Sequence, residues 1–193
     1  RAGVLLRAAD GAARLRHGGF YAGLVVHRGV PAAGSDLRKR AIDQTEITRA
    51  TYGLPEDAFI FCCFNNNYKI LPATFEGWMR ILKAVEGSIL WLFQDNSWAV
   101  ENLKKEAEKQ GIAADRLVFA ERLPLPEHLA RHRLADLFLD TFPCNAHTTT
   151  SDALWAGLPV LTLMGRSFAS RVAASLLNAI NLPEQYQIEN LEI

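Results

Sequence analysis

The sequence has few cysteines, no net charge and no long apolar run, and each shortage removes a class of protein. Cys62, Cys63 and Cys144 are too few for a disulfide framework, and they form no Cys-x-x-Cys metal pair. Cys62 and Cys63 lie in an apolar stretch, where a buried thiol behaves as a small hydrophobe. A reducing, cytoplasmic setting is the expectation. No stretch approaches the ~20 apolar residues that span a bilayer, so no membrane role is expected. Lys+Arg and Asp+Glu number 21 each, which gives a nucleic-acid partner no global electrostatic support. No metal-ligand spacing is evident, and no GxGxxG follows the first strand, which weighs against a dinucleotide-binding domain. The first residue is Arg1 rather than methionine, and a fragment or processed product is expected.

What is present is enough apolar material for a core: 49% of residues are hydrophobic and 22% charged. The length fits one domain or one and a half. The charge is unevenly spread, with eight basic against three acidic residues in 1–43 and 13 against 18 in the remainder. Residues 1–44 read as a lead-in of uncertain structure. They hold a candidate strand at Phe20–Val26, a linker signal at Pro31–Ser35 and an Arg-rich, acid-poor composition of the kind found in organelle transit peptides. Residues 184–193 read as a truncated polar tail.

Between these ends the texture is regular. Apolar runs of strand length at 58–64, 88–93, 116–120, 135–140 and 160–163 alternate with helical patterns at 72–85, 98–110, 126–133, 148–156 and 168–180. Gly111 and Gly157 stand where helices should stop. This alternation predicts an α/β fold, a Rossmann-like doubly wound parallel sheet. Ligands bind such sheets beyond the carboxyl ends of the strands. Polar clusters fall at those ends: Asn65 to Lys69, Arg122 to His128, and Asn145 to Asp152.

The last cluster, Asn145-Ala146-His147-Thr148-Thr149-Thr150-Ser151-Asp152, lies where a strand turns into a helix. A helix start exposes unpaired N–H groups and the positive end of the macrodipole. Hydroxyls and an imidazole there add donors, which makes an anion site suited to phosphate. One hydroxyl suffices as a cap, so His147 with the paired Thr148 and Thr149 points to more than capping. Asp152, one turn in, either pairs with the dipole or accepts bonds from ribose hydroxyls. Lys69 is either a solvated surface lysine or an ammonium reaching a phosphate. His128 and Arg131 share a helix face, either as plain polar surface or as planar groups that sandwich a base. The residues themselves lead to an α/β domain binding a phosphorylated ligand, with a nucleotide favoured.

From about Ile47 to Pro183 the chain resembles the C-terminal catalytic lobe of O-linked N-acetylglucosamine transferase, of the bacterial and plant type that follows tetratricopeptide repeats. The likeness rests on Tyr52 to Ala58, Phe64 to Ile70, Leu134 to Thr141, Asn145 to Thr149, Asp152 to Gly157 and Ala169 to Ala173. It implies the donor-binding lobe of a GT-B glycosyltransferase, at 45–183, with UDP-N-acetylglucosamine as donor and no cofactor or metal. It further implies that Lys69 and Asn66 meet the diphosphate and that Lys69 offsets charge on the leaving UDP. His147, Thr148 and Thr149 would hold the phosphates, Asp152 the ribose and His128 the uracil, with Arg131 beside the base. Glutamine is commoner in the family where Asn66 stands, a lysine where Leu125 stands and an acidic residue where Arg166 stands. Neither tetratricopeptide repeats nor the first GT-B lobe is found in the sequence; both are expected in a full-length protein, with Ser/Thr side chains of proteins as acceptors. The alternatives are a non-catalytic nucleotide-binding fragment or relic, and an interaction module in which the sheet is scaffold.

Overall fold

Ile60-Phe61-Cys62-Cys63 has no polar side chain to present to water, so it forms a strand buried on both faces. The computed structural model describes residues 40–181 and, for their backbone, 187–188. The candidate strand at 20–26, the linker signal, the transit-like composition and most of the lead-in lie outside the described residues.

The strands are β1 (Ile60–Cys63), β2 (Ile89–Phe93), β3 (Leu117–Ala120), β4 (Leu137–Leu139), β5 (Val160–Leu163) and β6 (Gln187–Ile188). They form one parallel sheet in the order β3-β2-β1-β4-β5-β6. Register follows the apolar runs, with Ile60 opposite Ile89 on one side of β1 and Phe61 opposite Leu137 on the other. β6 lies in the stretch expected to be a polar tail. Its partner β5 is buried, so even a two-residue strand there finds open backbone groups to pair with.

The helices are α1 (Pro72–Ala84), α2 (Ser97–Lys109), α3 (Leu125–Arg131), α4 (Thr148–Trp155) and α5 (Val172–Ala179). α1 buries Phe75, Trp78, Met79, Ile81 and Leu82, the residues at helical spacing. Asn96 caps α2, its Oδ1 accepting from Ala99 N–H at 2.8 Å. Gly157 ends α4 at φ 85°, a conformation that costs glycine little. The helix expected at 168–180 is two pieces. Ser167 and Ser170 form a capping box around a separate 3-10 turn at Phe168–Ser170, and Arg171, at φ −125° and ψ −8°, breaks the run before α5.

Right-handed crossovers explain the layering. The chain leaves β1 toward β2 and β3, then returns past β1 to β4 and continues outward. α1 and α2 therefore cover one face and α4 and α5 the other, with α3 packed against α4. The direction of winding reverses between β1 and β4. The segments leaving those neighbouring strands diverge there and open a crevice at the strands' carboxyl ends. At the opposite end, Arg49 ties the entering segment to the sheet. It donates to Glu56 O and Ala58 O, each at 2.7 Å, and to Asp136 Oδ2 at 2.8 Å. Asp136 also accepts the Ile60 N–H.

Candidate functional site

Two loops leave the carboxyl ends of β1 and β4 side by side, and buried polar groups bolt them together. Asn65, the first residue past the β1 apolar run, donates to Thr141 Oγ1 at 2.9 Å. Thr74, in the first turn of α1, donates to Phe142 O at 2.8 Å. Lys69, in a 3-10 turn at Asn67–Lys69, donates through Nζ to Asn145 O at 3.1 Å. Lys69 is half-buried, so its ammonium is held at the crevice rather than free in solvent. Asn66 beside it is exposed.

The loop after β4 is organised by Asp140. Its Oδ1 accepts the N–H groups of Thr141 (2.8 Å) and Ala146 (2.6 Å), and its Oδ2 accepts the Thr162 hydroxyl at 2.7 Å. Burial pushes this carboxyl up to about 7, against the pull of those three donors and of Lys69. Asn145 is fully buried, donates to Thr141 O at 2.9 Å and receives a second tie through its own N–H to Ala169 O. The Phe142–Pro143 peptide in this loop is cis. The loop thus delivers His147 to the start of α4 in a fixed position.

At that start the hydroxyls divide. Thr150 and Ser151 turn back to the carbonyls of Ala146 and His147, at 2.9 and 3.3 Å. The first helical bond is Ser151 N–H to His147 O, so the N–H groups of Thr148, Thr149 and Thr150 precede the ladder. No side chain caps the helix. The hydroxyls of exposed Thr148 and half-buried Thr149 have no partner among the described residues. His147 sits at the N-cap, its ring edge-on to Phe168 at 6.0 Å and Nε2 3.5 Å from Ala169 O. Lys69, His147, Thr148 and Thr149 therefore converge on one crevice with donors to spare.

The other expected residues are placed differently. Asp152 is 6% exposed and pairs with Arg40. Burial raises its carboxyl above the usual range, and Arg40 opposes that. Arg40 also accepts a bond at its carbonyl from Trp155 Nε1 at 3.3 Å. His128 is half-buried, but Arg131 is 1% exposed. The guanidinium lies 4.5 Å from the Phe64 ring centre and donates to Glu121 O and His128 Nδ1, each at 2.6 Å. The guanidinium is thus enclosed between the Phe64 ring, Glu121 O and the His128 ring, and of the two expected base contacts His128 is the more exposed. His132, which the sequence did not single out, completes the cluster, with Nδ1 2.7 Å from His128 O.

Burial holds His128 down to about 4 and His132 down to about 3. Both are depressed in the fold, so between those values and the ordinary 6.5 the unfolded chain binds more protons. Their contribution to stability is full above 6.5 and is lost as pH falls. Asp140 works in the opposite sense between about 4 and 7. Replacing His132 with phenylalanine isolates the imidazole effect. In urea unfolding, the stability lost by wild type between pH 7 and 5.5 should exceed that lost by His132→Phe by about 1.2 kcal/mol. Equal losses would exclude the assignment.

Asp140, Asn65, Thr141 and Arg40 were not read as site residues. The first two carried a usable signal, a polar side chain directly ending an all-apolar strand. Tyr68, Leu71, Trp98, Leu125 and Phe168 are exposed, and each lies in a segment that follows a strand's carboxyl end. Among the described residues no group of three or more His, Cys, Asp or Glu side chains is arranged to hold a metal ion. No helix among them is long and apolar enough to cross a membrane.

Comparison with known proteins adds to this geometry. Residues 22–191 match glycosyl transferase family 41. The chain is 45% identical over 137 residues to the UDP-N-acetylglucosamine--peptide N-acetylglucosaminyltransferase of Caenorhabditis elegans, covering 71% of this chain and 12% of that protein. It is 43% identical over 144 residues to the probable enzyme of that name, SEC, of Arabidopsis thaliana, covering 75% of this chain and 15% of that protein. A solved mutant O-GlcNAc transferase from Thermobaculum terrenum superposes with a TM-score of 0.67 at 31% identity, over 72% of this chain and 29% of that one. The chain thus spans a small part of the length of these relatives.

Proposed function

Because the chain belongs to glycosyl transferase family 41, we propose that residues 45–183 are a donor-binding lobe that holds UDP-N-acetylglucosamine for transfer of the sugar to Ser/Thr hydroxyls of proteins. The observation that carries this reading is the crevice between β1 and β4. There the half-buried Lys69 ammonium, fixed on Asn145 O, stands beside a helix start whose Thr148 and Thr149 hydroxyls are unclaimed. A diphosphate satisfies all of these donors at once.

In the reaction so proposed, the bond from the sugar's anomeric carbon to the β-phosphate oxygen breaks and the acceptor hydroxyl takes its place. Negative charge grows on the departing UDP. Lys69, His147, Thr148, Thr149 and the α4 start oppose that charge, and because the loops are bolted together they need no rearrangement to do so. Asn66 offers a further amide to the diphosphate. Asp152, paired with Arg40, accepts from the ribose, and His128 lies against the uracil. The base that takes the acceptor's proton comes from a second lobe closing over the carboxyl ends of the strands. Tetratricopeptide repeats ahead of that lobe belong to the same proposal.

A second reading has its own support. The chain corresponds to 12% and 15% of two relatives, so binding without transfer is the expected behaviour of these 193 residues by themselves. Calorimetry should show saturable binding in the order UDP, then UMP, then uridine, each phosphate adding roughly tenfold or more. No saturable UDP binding would reject the donor-lobe reading in favour of a scaffold. Sugar transfer to a peptide by this chain without a second lobe would reject the binding-only reading.

A further inference from the structure

Arg131 is a cation at neutral pH. Burial brings its guanidinium down only to about 10, and a guanidinium has donors but no acceptor. Its contact with His128 Nδ1 at 2.6 Å therefore needs a lone pair on that nitrogen. The neutral imidazole then carries its proton on Nε2. Nε2 has no partner among the described residues and is not among the fully enclosed polar atoms, so it faces the open side of the ring.

We infer that Arg131 is a positioning residue: by donating to Nδ1 it locks His128 as the neutral Nε2–H tautomer, so the ring offers the nucleotide base a hydrogen-bond donor and no positive charge. This rests on the reading of His128 as the residue against the base. The lock is built from several sides. Glu121 O holds the other end of the guanidinium at 2.6 Å, and Phe64 lies beneath it at 4.5 Å. The Phe64 ring also meets His128 edge-on at 5.5 Å and His132 at 5.0 Å. His132 packs edge-on against His128 at 4.7 Å, while its Nδ1–H donates to the His128 carbonyl. The charged group acting on the His128 ring is Arg131, and Tyr52 and Cys62 flank that guanidinium. A cation 2.6 Å from Nδ1 penalises a second proton, and burial adds to the penalty. The partner that fits such a donor is a base with a carbonyl acceptor on the facing edge.

Long-range proton–nitrogen NMR of the histidine-labelled full chain without ligand tests the lock, with His128→Gln identifying the signal. The expected pattern is protonated Nε2 and bare Nδ1, unchanged from pH 8 to 5.5. A proton on Nδ1, or on both nitrogens at pH 5.5, overturns it. In Arg131→Lys and Arg131→Met the His128 signal should titrate at least one pH unit higher, more so in the methionine variant. A wild-type titration curve in either variant also overturns the lock; the primary reading needs no variant to fold. Addition of UDP should shift the His128 signals. Unmoved signals with the tautomer intact would overturn the base-facing role while leaving the lock established, so the two failures are told apart.

Discussion

Substitution of Lys69 by methionine should weaken UDP binding by roughly 10- to 100-fold while leaving the fold intact. A charge-assisted hydrogen bond to phosphate is worth about 1.5–3 kcal/mol, and each 1.4 kcal/mol is tenfold in affinity. Within the protein Lys69 makes one bond, to Asn145 O, from a half-buried position. The expected stability change is therefore within about 1 kcal/mol. Uridine carries no phosphate, so its affinity should not change. Lys83, exposed near the end of α1, is the matched control. Lys69→Arg should restore only part of the loss, because a planar fork cannot occupy the place of a compact ammonium. Calorimetry with UDP and uridine decides the matter: equal losses in Lys69→Met and Lys83→Met would remove the phosphate role.

The second large effect is on stability. Asp140→Ala strands two buried N–H groups and the Thr162 hydroxyl. Each orphaned group costs about 1–3 kcal/mol, so a total near 4 kcal/mol is expected. For a domain of this size that is a fall in Tm of roughly 10 °C. Asp140→Asn should be far milder. Its amide oxygen keeps the two N–H bonds, and its NH2 can donate to Thr162 Oγ1, which turns from donor to acceptor. Asparagine also removes the cost of ionising a carboxyl that burial has pushed up to about 7. The alanine variant should lose UDP affinity as well, since the loop carrying His147 loses its brace, whereas the asparagine variant should keep it. Thermal unfolding of both variants provides the check. Alanine and asparagine proteins of equal Tm would show that the three bonds do not hold the loop.

The legibility of the site divides by range. Lys69, His147, Thr148 and Thr149 could be singled out as candidates because the helix-start device proposed for them is local. It needs a strand end, donors and a helix, all within a few consecutive residues. Their convergence depends on β1 lying beside β4, which the order of elements along the chain does not state. Asp152 and Arg131 were readable as chemistry but not as contacts. The Asp152 partner, Arg40, is 112 positions away in a stretch that looks like unremarkable basic lead-in. The burial of Arg131 depends on Phe64, in a different strand-to-helix segment. The break at Arg171 was illegible for a different reason. The helical periodicity of 168–180 is real, but two serines capping a short turn override it.

The sequence by itself determined the α/β class, the number and order of the elements from β1 to α5, and the local phosphate-type donors. Each of these follows from spacing and side-chain type over ten to fifteen residues. Only the tertiary structure decided that β4 inserts beside β1. That placed Asn65 against Thr141 across 76 residues, buried Asp140 beneath the loop and enclosed the Arg131 guanidinium. The physical reason is that strand neighbours in a parallel sheet are chosen by the burial of the whole apolar core and by the handedness of the crossovers. No single segment encodes either quantity.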